Sequence, residues 1–167
     1  MSEISDHRLL TIRPATEKDA ALIMRFVRAL ADFENLGGHV VSTEDAIWKC
    51  LFGERPYAEA VIADLGEDPA GFAIFFHNFS SFLGRPGLYI EDLFVYPRFR
   101  SKGVGKALMR HCARVAADRG CFRMEWSALD WNPARRFYER LGAEAHTEWM
   151  IYRLEGKALL ELAGADV

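Results

Sequence analysis

Arg100, Ser101, Lys102, Gly103, Val104 and Gly105 crowd two glycines and two cations between two apolar runs. The run before them, Leu88-Tyr-Ile-Glu-Asp-Leu-Phe-Val95, reads as a strand. The run after them carries Val104, Leu108, His111 or Cys112, and Val115 on one face and reads as a helix ending at Gly120. A strand feeding a glycine turn that opens a helix is a place to bind phosphate. The first helical amides have no backbone partner, and the helix dipole adds roughly half a positive charge there. Glycine lets the chain come close to an anion. Arg98, Arg100, Lys102 and Lys106 stand around the turn as further cations.

Two phosphate loops can be tested directly. The mononucleotide loop requires Gly-x-x-x-x-Gly-Lys-Ser/Thr, but Lys106 is followed by Ala107 and Arg100 occupies the first glycine position. The dinucleotide fingerprint requires a third glycine where Leu108 stands. What remains is Arg-x-x-Gly-x-Gly. Just upstream, Glu91 and Asp92 are adjacent acids in a strand, so alternation sends them to opposite faces and lets one line a cleft. Downstream, Tyr138 lies one residue past Phe137, at the edge of a buried stripe formed by Ala134, Phe137 and Leu141. Its phenol is neutral at pH 7 and can donate a proton.

The elements that must hold these groups follow from periodicity and punctuation. Leu9 to Arg13 is a short strand ended by Pro14, and Thr16-Glu-Lys-Asp19 is a capping box for a helix running to about Asp32. Asn35-Leu-Gly-Gly38 breaks that helix, and Ser42 or Thr43 caps a second, stopped near Gly53. Tyr57 to Ala63 and Gly71 to Phe79 form a hairpin about Gly66-Glu-Asp-Pro69, and Ser80 to Gly87 is a loop. Cys121 to Ser127 is a strand, Asn132-Pro133 starts a helix that Gly142 ends, Ala143 to Leu154 holds one or two closing strands, and Lys157 to Ala163 is a terminal helix. Helices interspersed with strands predict an α/β (α+β mixed) sheet covered on both faces.

Composition excludes several classes. At 167 residues the chain is expected as one domain, residues 9–167, after a flexible N-terminus over residues 1–8. A net charge of -3 argues against a nucleic-acid partner, and no apolar run approaches the roughly 20 residues that span a bilayer. Cys50, Cys112 and Cys121 form no paired framework, which points to a reducing, cytoplasmic setting. The five histidines show no metal-ligand spacing, so no metal is expected.

The Arg-x-x-Gly-x-Gly loop resembles the acyl-CoA pyrophosphate loop of the GNAT superfamily of N-acetyltransferases. The likeness extends to Ile12-Arg-Pro-Ala15, to Glu91-Asp-Leu-Phe-Val95 and to Asn132-Pro-Ala-Arg-Arg-Phe-Tyr-Glu-Arg-Leu-Gly142, which is similar to the family's Asn-x-x-x-x-x-Tyr-x-x-x-Gly helix. These signatures fall in the family's order from about Ile12 to Leu154. Within the superfamily, the diamine/polyamine and thialysine acetyltransferases are the nearest likeness, through Leu30-Ala-Asp-Phe-Glu34, Phe52-Gly-Glu54, Gly71-Phe-Ala-Ile-Phe-Phe76 and Trp131-Asn132. Ser101 and Lys102 depart from it, standing where an Arg-Gly pair is more typical.

The resemblance implies a GNAT fold: a central twisted, mixed, mostly antiparallel sheet of six to seven strands with helices on both faces. It implies acetyl-CoA as cosubstrate, no metal, a small-molecule amine acceptor and a homodimer, for which exposed apolar strand surface is the motive. Amides from Ser101 to Lys106 would hold the pyrophosphate, and Asn132 would reach the pantetheine arm besides capping its helix. A backbone amide on Leu93, Phe94 or Val95 would stabilise the oxyanion. An alkyl ammonium has a pKa near 10.4, so at pH 7 only about one molecule in a few thousand is neutral and able to attack. Glu91 is the candidate base, directly or through water, and Tyr138 the candidate acid that protonates the leaving thiolate. Glu34, Glu91 and Asp92 are expected to bind an acceptor with a second cation, such as a polyamine or a basic amino acid. A peptide, protein or antibiotic-like amine is the alternative acceptor, and a CoA-binding regulatory module without catalysis the alternative class.

Overall fold

The computed structural model describes residues 9–165. The expected N-terminal segment 1–8 lies outside the described residues. The chain divides after Ser127 into two compact units.

The first unit is built on a five-stranded sheet in the order β1-β2-β3-β4-β5: β1 Leu10–Pro14, β2 Glu59–Leu65, β3 Asp68–Ser80, β4 Arg85–Val95 and β5 Met124–Trp126. The first four strands pair antiparallel, and β5 joins β4 parallel. Helices α1 (Ala20–Phe33) and α2 (Glu44–Phe52) lie between β1 and β2 in sequence, and α3 (Val104–Asp118) connects β4 to β5. Ile23 and Phe26 of α1 and Leu51 of α2 form one core with Ala60, Ile62, Phe72, Ile74 and Phe94. The alternate residues Val61, Ala63, Ala73 and Phe75 are buried as well, and α3 packs across β1 to β4. Burial on both faces is why the inner strands read as unbroken apolar runs.

Local signals account for the element ends. Thr16 and Asp19 form the expected capping box on a short 3-10 turn, Glu17–Asp19, that runs into α1. Arg13 clamps that corner, donating to both carboxylate oxygens of Asp19 at 2.8 and 3.0 Å and to Asp64 on β2 at 2.8 Å. The Thr43 hydroxyl accepts from the Ala46 amide at 3.2 Å and caps α2. Gly66, at φ 66°, makes the β2–β3 turn with a backbone that side chains resist.

The second unit contains α4 (Arg135–Arg140) and α5 (Gly156–Leu162), with Gly142 at φ 90° just after α4.

Several sequence expectations change. Among the described residues there are five strands rather than six to seven, because residues 143–154 carry no strand. Side-chain alternation there satisfies only half of what a strand requires; a neighbouring backbone must also take its hydrogen bonds, and among the described residues no strand pairs with this segment. The predicted loop from Ser80 to Gly87 is partly strand, since Arg85, Pro86 and Gly87 pair with Ser80, Phe79 and Asn78. The buried face of α3 runs through Val104, Leu108, Cys112 and Ala116, not His111 and Val115. No residue of α4 is buried: Phe137 is half-buried, and neighbouring Leu141 is exposed.

Candidate functional site

β4 changes character at Glu91. Up to Ile90 it is an inner strand, with Leu88, Tyr89 and Ile90 paired to Met124, Glu125 and Trp126 of β5. Among the described residues, Glu91 to Val95 have no strand on that side. The register with β3 slips at the same place: Ile74 pairs with Asp92 but Phe75 with Ile90, so Glu91 is the extra residue of a bulge. Strict alternation therefore fails here. Ile74 and Phe75 face opposite sides, and their partners Asp92 and Ile90 do likewise, although those two are two residues apart. The expectation that Glu91 and Asp92 simply oppose each other is replaced by this bulge. Glu91 is exposed, and Asp92 is turned toward the face covered by α1.

Asp92 looks into a cleft of about 150 Å³. Val27, Leu30 and Ala31 of α1 form one wall, and Leu36 and Val40 of the following turn another. Glu34, the residue that ends α1, and His39 complete the lining. Burial pushes the Asp92 carboxyl up to about 6, and the neighbouring charges of Glu91 and Glu34 push the same way. Burial also raises Glu34. Thus the fold gathers all three acids named from sequence, and Asp92 is the one whose titration moves into the range of a working base.

His39 is a lining residue that sequence reasoning missed. The histidines are scattered along the chain, and only the turn after α1 brings this one to the acids. Asn35 takes φ 59°, its amide bonding the Asp32 carbonyl at 3.2 Å, and Leu36 bonds the Ala31 carbonyl at 2.7 Å. A 3-10 turn, Gly37–His39, follows. At Gly37 a Cβ would sit 2.5 Å from an Asp32 carboxylate oxygen, the end of an exposed side chain that can turn aside.

The loop after β4 has the form a phosphate would need. Ser101 takes φ 61° and Gly103 φ 82°, and Gly103 is the N-cap of α3. The Ala107 amide is the first to bond back, to the Gly103 carbonyl at 2.9 Å, which leaves Val104, Gly105 and Lys106 as the amides without an in-helix partner. Ser101, Lys102 and Lys106 are exposed. Arg100 is occupied otherwise. Its Nε donates to the Val95 carbonyl at 3.1 Å, and its guanidinium lies 4.5 Å from the ring centre of Phe33 and 5.8 Å from that of Phe94. The side chain thus ties the end of β4 to the end of α1. Leu93 is half-buried, and Phe94 and Val95 are buried against β3 through pairs with Phe72 and Gly71.

Asn132 and Tyr138 belong to the second unit. The Asn132 Oδ1 accepts from the Ala134 amide at 2.9 Å, and its carbonyl accepts from Arg135 at 3.1 Å. It therefore caps the turn that leads into α4, while the N-cap of α4 itself is Ala134 rather than the expected Asn132. Tyr138 is half-buried on α4, its ring 5.4 Å from that of Phe137, and its carbonyl accepts from Leu141 and Ala143. Among the described residues no group of His, Cys, Asp and Glu is arranged to hold a metal ion.

Comparison with known proteins bears on this geometry. Residues 25–143 match the model of the acetyltransferase (GNAT) family. The thialysine N-epsilon-acetyltransferase of Bos taurus is 36% identical over 165 residues, covering 92% of this chain and 96% of that protein. The L-ornithine N5-acetyltransferase of Arabidopsis thaliana is 34% identical, covering 92% of this chain and 88% of its own. Among solved structures, an integron cassette protein from the V. cholerae mobile metagenome superposes with a TM-score of 0.77 at 28% identity, covering 93% of this chain and 98% of that one. An aminoglycoside acetyltransferase from a soil metagenome, solved with sisomicin, shares the fold with a TM-score of 0.72 at 17% identity, covering 87% of this chain and 97% of its own. Five strands with helices on both faces, a glycine turn opening α3 and a family match over residues 25–143 agree: the chain is an acyltransferase of the acetyltransferase (GNAT) family.

Proposed function

We propose that this acyltransferase moves an acetyl group from acetyl-CoA to the primary amine of a small polyamine or basic amino acid by direct transfer. The observation that carries the reading is Asp92, a carboxyl held at about 6 in a cleft shared with Glu34, on the strand that leads into the loop opening α3. The family's members use acetyl-CoA, and two similar proteins bear the names of enzymes for thialysine and ornithine amines.

The loop fits a pyrophosphate. Two left-handed residues, Ser101 and Gly103, turn the chain so that the Val104, Gly105 and Lys106 amides open α3 unpaired. Ser101, Lys102 and Lys106 stand at its exposed side, and Arg100 supports it from behind. Asn132 is our candidate for the pantetheine arm. When bound, acetyl-CoA supplies the activated acetyl carbonyl and a thiolate leaving group. Glu34 and Asp92 hold the acceptor's ammonium groups, with Glu91 beside them. Asp92 takes the proton from the attacking amine, and Glu91, directly or through water, is the sequence's candidate for the same task. An amide on the unpaired edge of Leu93, Phe94 or Val95 offers its N–H to the developing oxyanion. Tyr138 donates its hydroxyl proton to the departing sulfur.

We further propose a homodimer, a single cooperative domain over residues 9–167 and a cytoplasmic location. Among the described residues no helix is long and apolar enough to cross a membrane.

Thiol release from acetyl-CoA with a panel of amines tests the reading. Turnover with ornithine, lysine, thialysine or spermidine supports it. Turnover restricted to peptide or aminoglycoside amines would move the acceptor to another class. Calorimetric binding of acetyl-CoA with no turnover on any amine would make the chain a regulatory module.

A further inference from the structure

The polar side chains lining the acceptor cleft are not all acids. Glu34 and Asp92 face it, and so does His39, while the other walls are aliphatic. The two carboxylates can only accept hydrogen bonds when ionised; His39 keeps at least one N–H donor in either protonation state. Its backbone is fixed by the 3-10 turn, with the His39 amide bonded to the Leu36 carbonyl at 2.8 Å and Leu36 itself bonded back to α1.

We infer that His39 is a specificity-determining residue: it donates to the α-carboxylate of an amino-acid acceptor and so favours a basic amino acid over the corresponding diamine. The inference rests on the acceptor-site reading above. A diamine brings two cations, which Glu34 and Asp92 satisfy, and it gains nothing from a donor in the same cleft. An amino acid brings a reacting amine, a second ammonium and a carboxylate. Asp92 serves the first, Glu34 the second, and among the side chains lining the cleft only His39 offers the third an N–H. Without such a donor, the acceptor's carboxylate would lose its hydration beside two like charges.

Matched acceptors isolate that group. L-Ornithine and putrescine differ by the α-carboxylate alone, as do L-lysine and cadaverine. The wild type, His39→Ala and His39→Gln are compared by kcat/KM from thiol release at saturating acetyl-CoA. His39 is exposed on a turn, so the variants should melt with the wild type. The expected result is a wild type that prefers the amino acid of each pair. His39→Ala should lower kcat/KM for the amino acids about tenfold and change that for the diamines less than about twofold. His39→Gln, which keeps an N–H donor, should recover most of the loss. An equal fall on both members of a pair, no fall on the amino acids, or a wild-type preference for the diamines would overturn the role of His39 and leave the acceptor site standing. A wild type that turns over none of the four acceptors would overturn the site reading and the inference together.

Discussion

Asp92 illustrates how a site costs stability. Its folded-state pKa, about 6, lies above the ordinary carboxylate value of 3.8. Between those values the native protein holds more protons than the unfolded chain, so stability falls as pH rises through the window from about 4 to 6. Above it the ionised, shielded carboxylate is a standing penalty. Asp92→Asn should therefore raise stability at pH 7 by about 1–3 kcal/mol in urea melts while lowering kcat/KM by roughly 10²- to 10⁴-fold. The wild-type kcat/KM for the amine should drop below about pH 6, and Glu91→Gln should move that limb lower by removing a like charge. If Asp92→Asn keeps full turnover, Asp92 is not the base. Tyr138→Phe tests the other end of the proton path. Turnover should drop by roughly 10- to 1000-fold with modest change in the Michaelis constants, and melting should barely move. A stable variant with full turnover would give that proton to water or another residue. Sequence found these groups by type and spacing. It did not rank Asp92 above Glu91, because burial and a bulge made by the partner strand β3 decide that. Nor did it find His39, whose place depends on how the chain turns after α1.

The elements whose ends carry local signals were the most legible. Thr16 with Asp19, Thr43, Gly66 and Gly103 before α3 are such signals, and each sits where its local chemistry requires. The loop's left-handed residues separate backbone cost from ligand binding. Ser101 is not a glycine and takes φ 61°, so Ser101→Gly should leave stability unchanged or improve it by about 0.5 kcal/mol. Gly103→Glu should lose about 1 kcal/mol from its φ of 82° and, by placing a negative charge at the start of α3, weaken acetyl-CoA binding at least tenfold by calorimetry. A folded Gly103→Glu protein with wild-type affinity would remove the loop from the cofactor site. Residues 143–154 were misread because pairing is a property of two segments, and apolar alternation reports on one.

The whole molecule presents apolar surface that its own fold leaves uncovered. Phe82 is 99% exposed, and Phe79 and Leu83 beside the same hairpin turn are exposed as well. In the second unit Trp149, Met150, Ile151 and Tyr152 are all exposed. A second copy is the covering proposed here. Light scattering at micromolar concentration should give twice the 19.0 kDa of the chain, and a mass of one chain would refute the dimer. Thermal unfolding should show one transition if the two compact units act as a single domain, and two transitions would separate them. Chain length pointed to one domain and the family resemblance to a dimer, but both depend on surfaces formed only after folding.

The short pairing of β5 has a consequence beyond the reaction. Among the described residues, β4 from Glu91 onward offers a row of backbone groups with no strand on one side, and such an edge invites another chain to add itself as a strand. The bulge at Glu91 spoils the register an intruder would need, and two adjacent negative charges make its approach unfavourable. The same acids proposed to handle the amine are thus expected to disfavour ordered self-association. Neutralising both, in a Glu91→Gln, Asp92→Asn protein, should leave a better-folded but more aggregation-prone molecule.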